Sequence, residues 1–171
     1  MKKLILTITT AALFLFTANV NAQNQDVVDV AASNDSFSTL VTAVKAAGLV
    51  EALKGEGPFT VFAPTNDAFA KIDAATLGSL LKPENKSKLT SILTYHVIQG
   101  KLTAKDVVAA LKAGKGKVTL TTLSGAEITV VQNDKGIWLK DANGNYSMIS
   151  STDVMASNGV IHVIDSVVMP K

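Results

Sequence analysis

Gly57-Pro58-Phe59-Thr60-Val61-Phe62-Ala63-Pro64-Thr65-Asn66-Asp67-Ala68-Phe69 holds a turn, a strand and a helix start in succession. Gly57-Pro58 is a turn dipeptide. From Phe59 to Ala63 apolar and β-prone residues dominate, which predicts a strand buried on at least one face, with both faces the favoured case. Pro64 has no N–H to give to a ladder and closes that strand. Thr65 or Asn66 then caps a helix, with Asp67 in its first turn facing the positive end of the dipole. Ala68, Phe69 and Ile72 begin the apolar face. The stretch is a β-to-α corner and contains no nucleophile, base or phosphate loop.

Outward from the corner, the chain reads as exported. Its 171 residues begin with Lys2-Lys3 and an apolar run from Leu4 to Val20, then small residues up to Ala22 and a cut before Gln23. A membrane anchor is the alternative, but the run is near the minimum for a span, carries four Thr and ends in a cleavable pattern. Residues 1–22 are therefore expected to be a signal peptide and residues 23–171 one domain, with no stable membrane anchor after processing. No cysteine is present, so neither a lipid anchor nor a disulfide is available. Of 16 basic residues Lys2 and Lys3 leave with the signal, and the remaining 14 balance 14 acidic ones. Every basic residue is Lys; the absence of Arg argues against nucleic acid as a partner.

Before the corner, Phe37, Leu40, Val41, Val44 and Ala47 recur at helical spacing, with Asp35 or Ser36 as cap and Gly48 as stop. Leu49, Val50 and Leu53 make a second short turn. After it come a helical piece from Ala74 to Leu81 and another opened by Pro83, whose apolar stripe is Leu89, Ile92, Leu93 and His96. Thr103 and Asp106 form a capping box, with Leu102 and Val107 as its staple. The last third alternates as strands: Val118–Leu123, Glu127–Val131, Ile137–Leu139 and Tyr146–Ile149. Asn158-Gly159 introduces Val160–Asp165, a run suited to a strand buried on both faces, with Val167 and Val168 extending it to Pro170. The order of elements gives an α+β class.

Three stretches together resemble the fasciclin-like domain family. Phe59 to Phe69 is similar to its first box, including Phe62, Pro64, Thr65, Asn66, Asp67 and Phe69. Leu93-Thr94-Tyr95-His96-Val97-Ile98 is similar to its central Tyr-His motif, and Asn158 to Asp165, with Gly159 and His162, to its second box. The resemblance implies a β-wedge of mainly antiparallel strands flanked by N-terminal and mid-chain helices. It also implies a non-enzymatic adhesion role outside the cell, toward protein or polysaccharide. Tyr95 and His96 are then candidate adhesive contacts; the apolar neighbours of Tyr95 favour a helix-end packing role instead, and both histidines read as satisfied by core or backbone hydrogen bonds. The family often carries tandem copies; this chain shows one.

The residues that bear chemistry are few. His96 and His162 are the only histidines, and no spacing with a carboxylate such as Asp165 suggests a metal site, so no metal or cofactor is expected. A serine hydrolase would need a nucleophile elbow and a converging triad, and neither is visible. Trp138 is either a surface anchor for sugar or protein or a sheet-packing residue. The Lys112-Ala113-Gly114-Lys115-Gly116-Lys117 cluster reads as a solvated loop, with an anionic polymer as the sharper alternative. Three Asn-x-Ser sequons, at Asn34, Asn85 and Asn145, read as chance matches. The leading function is an exported binding module, possible acceptors being cell-surface, matrix or polysaccharide partners; a periplasmic small-ligand carrier is the alternative.

Overall fold

In a computed structural model of the chain, residues 24–171 are described; residues 1–22, expected to be a signal peptide, and the Ala22–Gln23 junction lie outside the described residues. Chain order runs α1 (Val27–Ala32), α2 (Ser38–Ala47), α3 (Val50–Lys54), β1 (Phe59–Pro64), α4 (Asn66–Ala70), α5 (Ala74–Leu80) and α6 (Lys86–Tyr95). Then come β2 (Val97–Gln99), α7 (Ala104–Ala113), β3 (Lys117–Thr121), β4 (Glu127–Asn133), β5 (Gly136–Lys140), β6 (Tyr146–Ala156) and β7 (Gly159–Ile164).

The corner sits where the sheet meets the helices. The seven strands lie in the order β2-β1-β7-β6-β5-β4-β3. Every pairing is antiparallel except β1 with β7. Beyond β3 the chain nearly closes the sheet, because Leu123 N donates to Val97 O at 2.7 Å on the free side of β2. The fold is α+β and mostly antiparallel, as the sequence leads one to expect.

Both faces of β1 are buried, and each serves a different core. Phe59, Val61 and Ala63 face α1, α2, α3 and α6, joining Val27, Leu40, Val44 and Leu93. Phe62 faces inward, joining Tyr95, Val107, Leu111, Ile128, Val130 and Leu139. β7 divides likewise, with Ile161 toward the helices and Ile164 inward. At about 2 kcal/mol per fully buried large side chain, these two clusters supply the main drive to fold a chain without disulfides.

The helices end where the local chemistry says. Thr103 and Asp106 close the capping box at α7, and Thr103 with its own N–H holds the Asp106 carboxyl below the usual range. Gly48, at φ 71°, terminates α2 in the left-handed conformation. Gly159 has an extended backbone, but a Cβ there would run into the carbonyl of Phe59, so only glycine permits the β1–β7 approach.

Four local readings need correction. Asn34, rather than Asp35 or Ser36, caps a 3₁₀ turn over Asp35–Phe37, and α2 starts only at Ser38. Thr65 alone caps α4; Asn66 is its first residue. β6 continues seven residues past Ile149, through register shifts between Ile149 and Ser151 and between Ser151 and Val154. Bulging turns the polar Ser150–Asp153 run away from the alternation that marks a strand. Finally, β7 stops at Ile164. Asp165 still donates its N–H to Met148 O at 3.1 Å, but its carboxylate Oδ1 takes the Met148 N–H at 2.8 Å in place of a backbone carbonyl, and the ladder ends there.

Candidate functional site

The three motif stretches meet at the centre of the molecule. Phe62 and His162 are paired in register, their rings 5.8 Å apart between centroids and tilted by 31°. Phe62 N donates to His96 O at 2.8 Å. Tyr95 shares the inner cluster with Phe62 and is fully buried. Its hydroxyl donates to Glu127 O at 2.8 Å and accepts from Ala142 N at 3.1 Å, tying the end of α6 to β4 and to the β5–β6 turn. Burial pushes the phenol pKa up.

Both imidazoles are held by backbone at both nitrogens. A carbonyl can only accept, so His96 Nδ1–H donates to Ile92 O at 2.8 Å, leaving Nε2 to accept from Val168 N at 3.2 Å. Burial depresses the His96 pKa to about 4, against a smaller opposing effect of the Ile92 carbonyl. By the same logic His162 Nε2–H donates to Leu102 O at 2.7 Å, and Nδ1 accepts from Asp153 N at 3.4 Å. Asp153, at φ 60° in the bulge, passes the link on: its Oδ1 accepts from Ala104 N at 2.8 Å in the first turn of α7.

Tyr95 and His96, read from the sequence as candidate adhesive contacts, lie in the interior of this structure. Their apolar flanks, Leu93, Val97 and Ile98, carry them into the core at the helix-to-strand junction. The other motif residues also make internal links. Asn158 Oδ1 accepts from Val27 N at 2.9 Å, and its Nδ2 donates to Leu53 O at 2.8 Å, joining β7's turn to α1 and α3. Asn66 Oδ1 accepts from Thr39 N at 3.0 Å and its Nδ2 donates to Asp35 O at 2.8 Å, so it caps α2 from a distance. α2 has no side-chain cap of its own. Pro64 and Phe69 are buried, and Asp67 is exposed in the first turn of α4. Burial pushes the Asp165 carboxyl up, but Met148 N–H, the Ser166 hydroxyl and Lys71 outweigh it and hold the pKa below its ordinary value.

This arrangement is poor for catalysis. Ser147, Asp165, Ser166 and Lys71 cluster, with Ser166 Oγ donating to Asp165 Oδ1 at 3.1 Å, but no imidazole takes part. Neither imidazole reaches a serine hydroxyl, because both rings are committed to backbone groups, and the Lys71 ammonium that reaches Ser166 Oγ at 3.0 Å is a donor paired with Asp165. Among the described residues no group of three or more His, Asp or Glu is placed to hold a metal ion. The apolar space between α1, α2, α6 and β1 is about 30 Å³, lined by Val27, Leu40, Val44 and His96 among others. That is room for a water or two. A hollow of about 410 Å³ beside Pro58, Lys101 and Asn158 lies open at the surface.

The other half of the sheet presents a different face. In β3 to β6 one set of side chains points into the inner cluster: Val118, Leu120, Ile128, Val130, Leu139 and Ile149. The alternate set points away. Register aligns Lys117, Val131, Trp138 and Met148 in one row across four strands, and Thr119, Thr129, Lys140 and Tyr146 in the next. α7 packs on β3 and β4 through Val107 and Leu111, on the inner side. Trp138 is half-buried, and its Nε1 donates to Asn133 Oδ1 at 3.1 Å, which fixes the indole. Tyr146 is 52% exposed, with the Lys140 ammonium 5.6 Å from its ring centroid. Lys117 and Trp138 belong to different strands of the sequence, and register through Val131 joins them in one row.

No helix among the described residues is long and apolar enough to cross a membrane. The chain is 55% identical over 144 residues to protein sll1483 of the cyanobacterium Synechocystis, covering 84% of this chain and 73% of that one. It is 40% identical over 159 residues to immunogenic protein MPT70 of Mycobacterium tuberculosis, covering 90% and 74%. It is 34% identical over 163 residues to transforming growth factor-beta-induced protein ig-h3 of Sus scrofa, of whose length it spans 22%. The fold is similar to a FAS1 domain pair from the insect cell adhesion molecule fasciclin I, with a TM-score of 0.72 at 23% identity, over 83% of this chain and 50% of that one. A family model for the Fasciclin domain matches residues 35–170, and the chain belongs to that family.

Proposed function

We propose that residues 1–22 direct export and that residues 23–171 then act as one domain, a non-enzymatic adhesion module in the periplasm or medium. The observation that carries this reading is the full internal commitment of Tyr95, His96 and His162 to backbone groups, beside a sheet face on which Lys117 and Tyr146 are exposed. The family supports it, fasciclin I being an insect cell adhesion molecule. A small-ligand carrier would need a mostly apolar cleft or cavity on the order of several hundred Å³, and the hollow beside Pro58 is lined by Glu56, Lys101, Ser157 and Asn158. The apolar space under α1 and α2 is about 30 Å³.

Two measurements test the proposal. The mass of the protein recovered outside the cytoplasm should correspond to a chain starting at Gln23. The same protein, immobilised, should retain cell-envelope or biofilm material from extracts. Retention equal to that of a blank matrix would end the adhesion reading.

A further inference from the structure

We infer that the outer face of β3 to β6 binds an acidic polysaccharide, with Trp138 and Tyr146 stacking on sugar rings and Lys117 and Lys140 meeting uronate carboxylates. The inference rests on the adhesion reading and names its partner class. Three observations carry it.

The first is placement. Directly opposed residues on neighbouring strands stand about 5 Å apart, and same-face neighbours along a strand about 7 Å apart. Lys117–Val131–Trp138–Met148 is therefore an unbroken row about 14 Å long, with Lys140 and Tyr146 in the adjoining row. A short run of sugar rings fits along such a row.

The second is the state of the side chains. Asn133 holds the indole through its N–H, so the ring is set before any ligand arrives. Tyr146 is exposed on a regular strand, where a large aromatic gains nothing from the core. Sugars offer apolar C–H faces to such rings and hydroxyls to the threonines beside them, here Thr119 and Thr129.

The third is charge. Lys117 and Lys140 take no part in the ion pairs among the described residues, which join Lys54 to Asp26 and Asp29, and Lys71 to Asp165. The one acidic residue pointing outward in the four strands up to Ser150 is Glu127, at the far end opposite Thr121. Lys115 and Lys135 stand near the other end, beside Asp134. Widely spaced ammonium groups suit the dispersed carboxylates of a uronate chain. A duplex or a phosphopeptide is better met by the bidentate fork of Arg, which this chain lacks.

Trp138 is the only tryptophan, so the purified protein carries its own reporter. Titration with polygalacturonate should shift or quench its emission, and neutral dextran should not. Trp138→Ala, followed by affinity electrophoresis in polygalacturonate gels, should weaken binding about tenfold. Lys117→Gln and Lys140→Gln should each weaken it about threefold, with a shallower salt dependence. Thermal melting shows whether each variant is folded; Tyr146→Ala, at an exposed position, serves if Trp138→Ala does not fold. Unchanged emission, an equal response to dextran or to anionic lipid vesicles, or full binding by the folded variants would overturn the assignment. If envelope material is still retained while Trp138 stays silent, the adhesion reading stands and this face is the wrong one. If nothing is retained, the adhesion reading itself has failed.

Discussion

The two faces of the β3–β6 sheet carry the same strands and opposite chemistry. The inner face bears Ile128, Val130, Leu139 and Ser147, all buried, and receives Tyr95 and the Val168 tail. The outer face bears exposed Lys117 and Tyr146 and half-buried Trp138 and Lys140. The residues that make the chain recognisable lie inside or at its links. The residues able to meet a partner lie in a part of the chain no motif marks. Recognition of the scaffold and location of the binding surface are separate problems here. Changes inside should alter stability and changes outside should alter binding, which sets a scale for testing the contrast.

The largest effect belongs to Gly159→Ala. The added methyl would meet the Phe59 carbonyl and force β1 from β7, the one parallel pairing that joins both cores. Urea unfolding should show a loss of at least about 3 kcal/mol. An unchanged midpoint would mean that the two strands are not so close.

His96 comes next, through pH. Its folded pKa is depressed to about 4, from the ordinary 6.5. The unfolded chain therefore takes a proton that the folded chain refuses. The contribution is complete above pH 6.5 and is lost as pH falls toward 4, by about 3 kcal/mol in all. Melting midpoints should fall as pH is lowered across that window, and His96→Gln should remove that part of the midpoint-versus-pH slope whatever it does to stability at neutral pH. An identical slope in the variant would place the titration elsewhere.

Tyr95→Phe keeps the ring and removes the hydroxyl that Glu127 O and Ala142 N share. With both backbone groups left unpaired, the expected loss is about 2 kcal/mol. Asn66→Ala should cost about 1 kcal/mol, as for a helix cap. The helix that loses its cap is α2, so hydrogen exchange should rise at Thr39 and its neighbours rather than in α4. Exchange confined to Asn66–Ala70 would refute the remote cap.

These cases show what a sequence can disclose. The β1 corner and the Thr103–Asp106 box are local: the residues that decide them lie within a few positions of one another. Asn66 reaches back 27 residues to Thr39, and His96 reaches forward 72 to Val168, so their partners exist only once the chain has folded. The second half of β6 hid behind polar residues because a bulge breaks the period of two. The outer row was hidden for the same reason as the remote cap. Lys117 and Met148 share a row only through three successive registers.

Lys117→Gln gives the smallest stability effect and the sharpest test of the contrast. Lys117 is exposed at the start of an edge strand and makes no ion pair among the described residues. Its replacement should leave the unfolding midpoint within about 0.5 kcal/mol. Gln keeps the stem and the polarity, so the ladder and the neighbouring Val131 lose little. A loss above 1 kcal/mol, on the scale of the Asn66 cap, would show Lys117 to be part of the scaffold. The two faces would then differ in exposure but not in task. A silent substitution that still weakens capture of polygalacturonate would put stability and binding on opposite sides of one sheet.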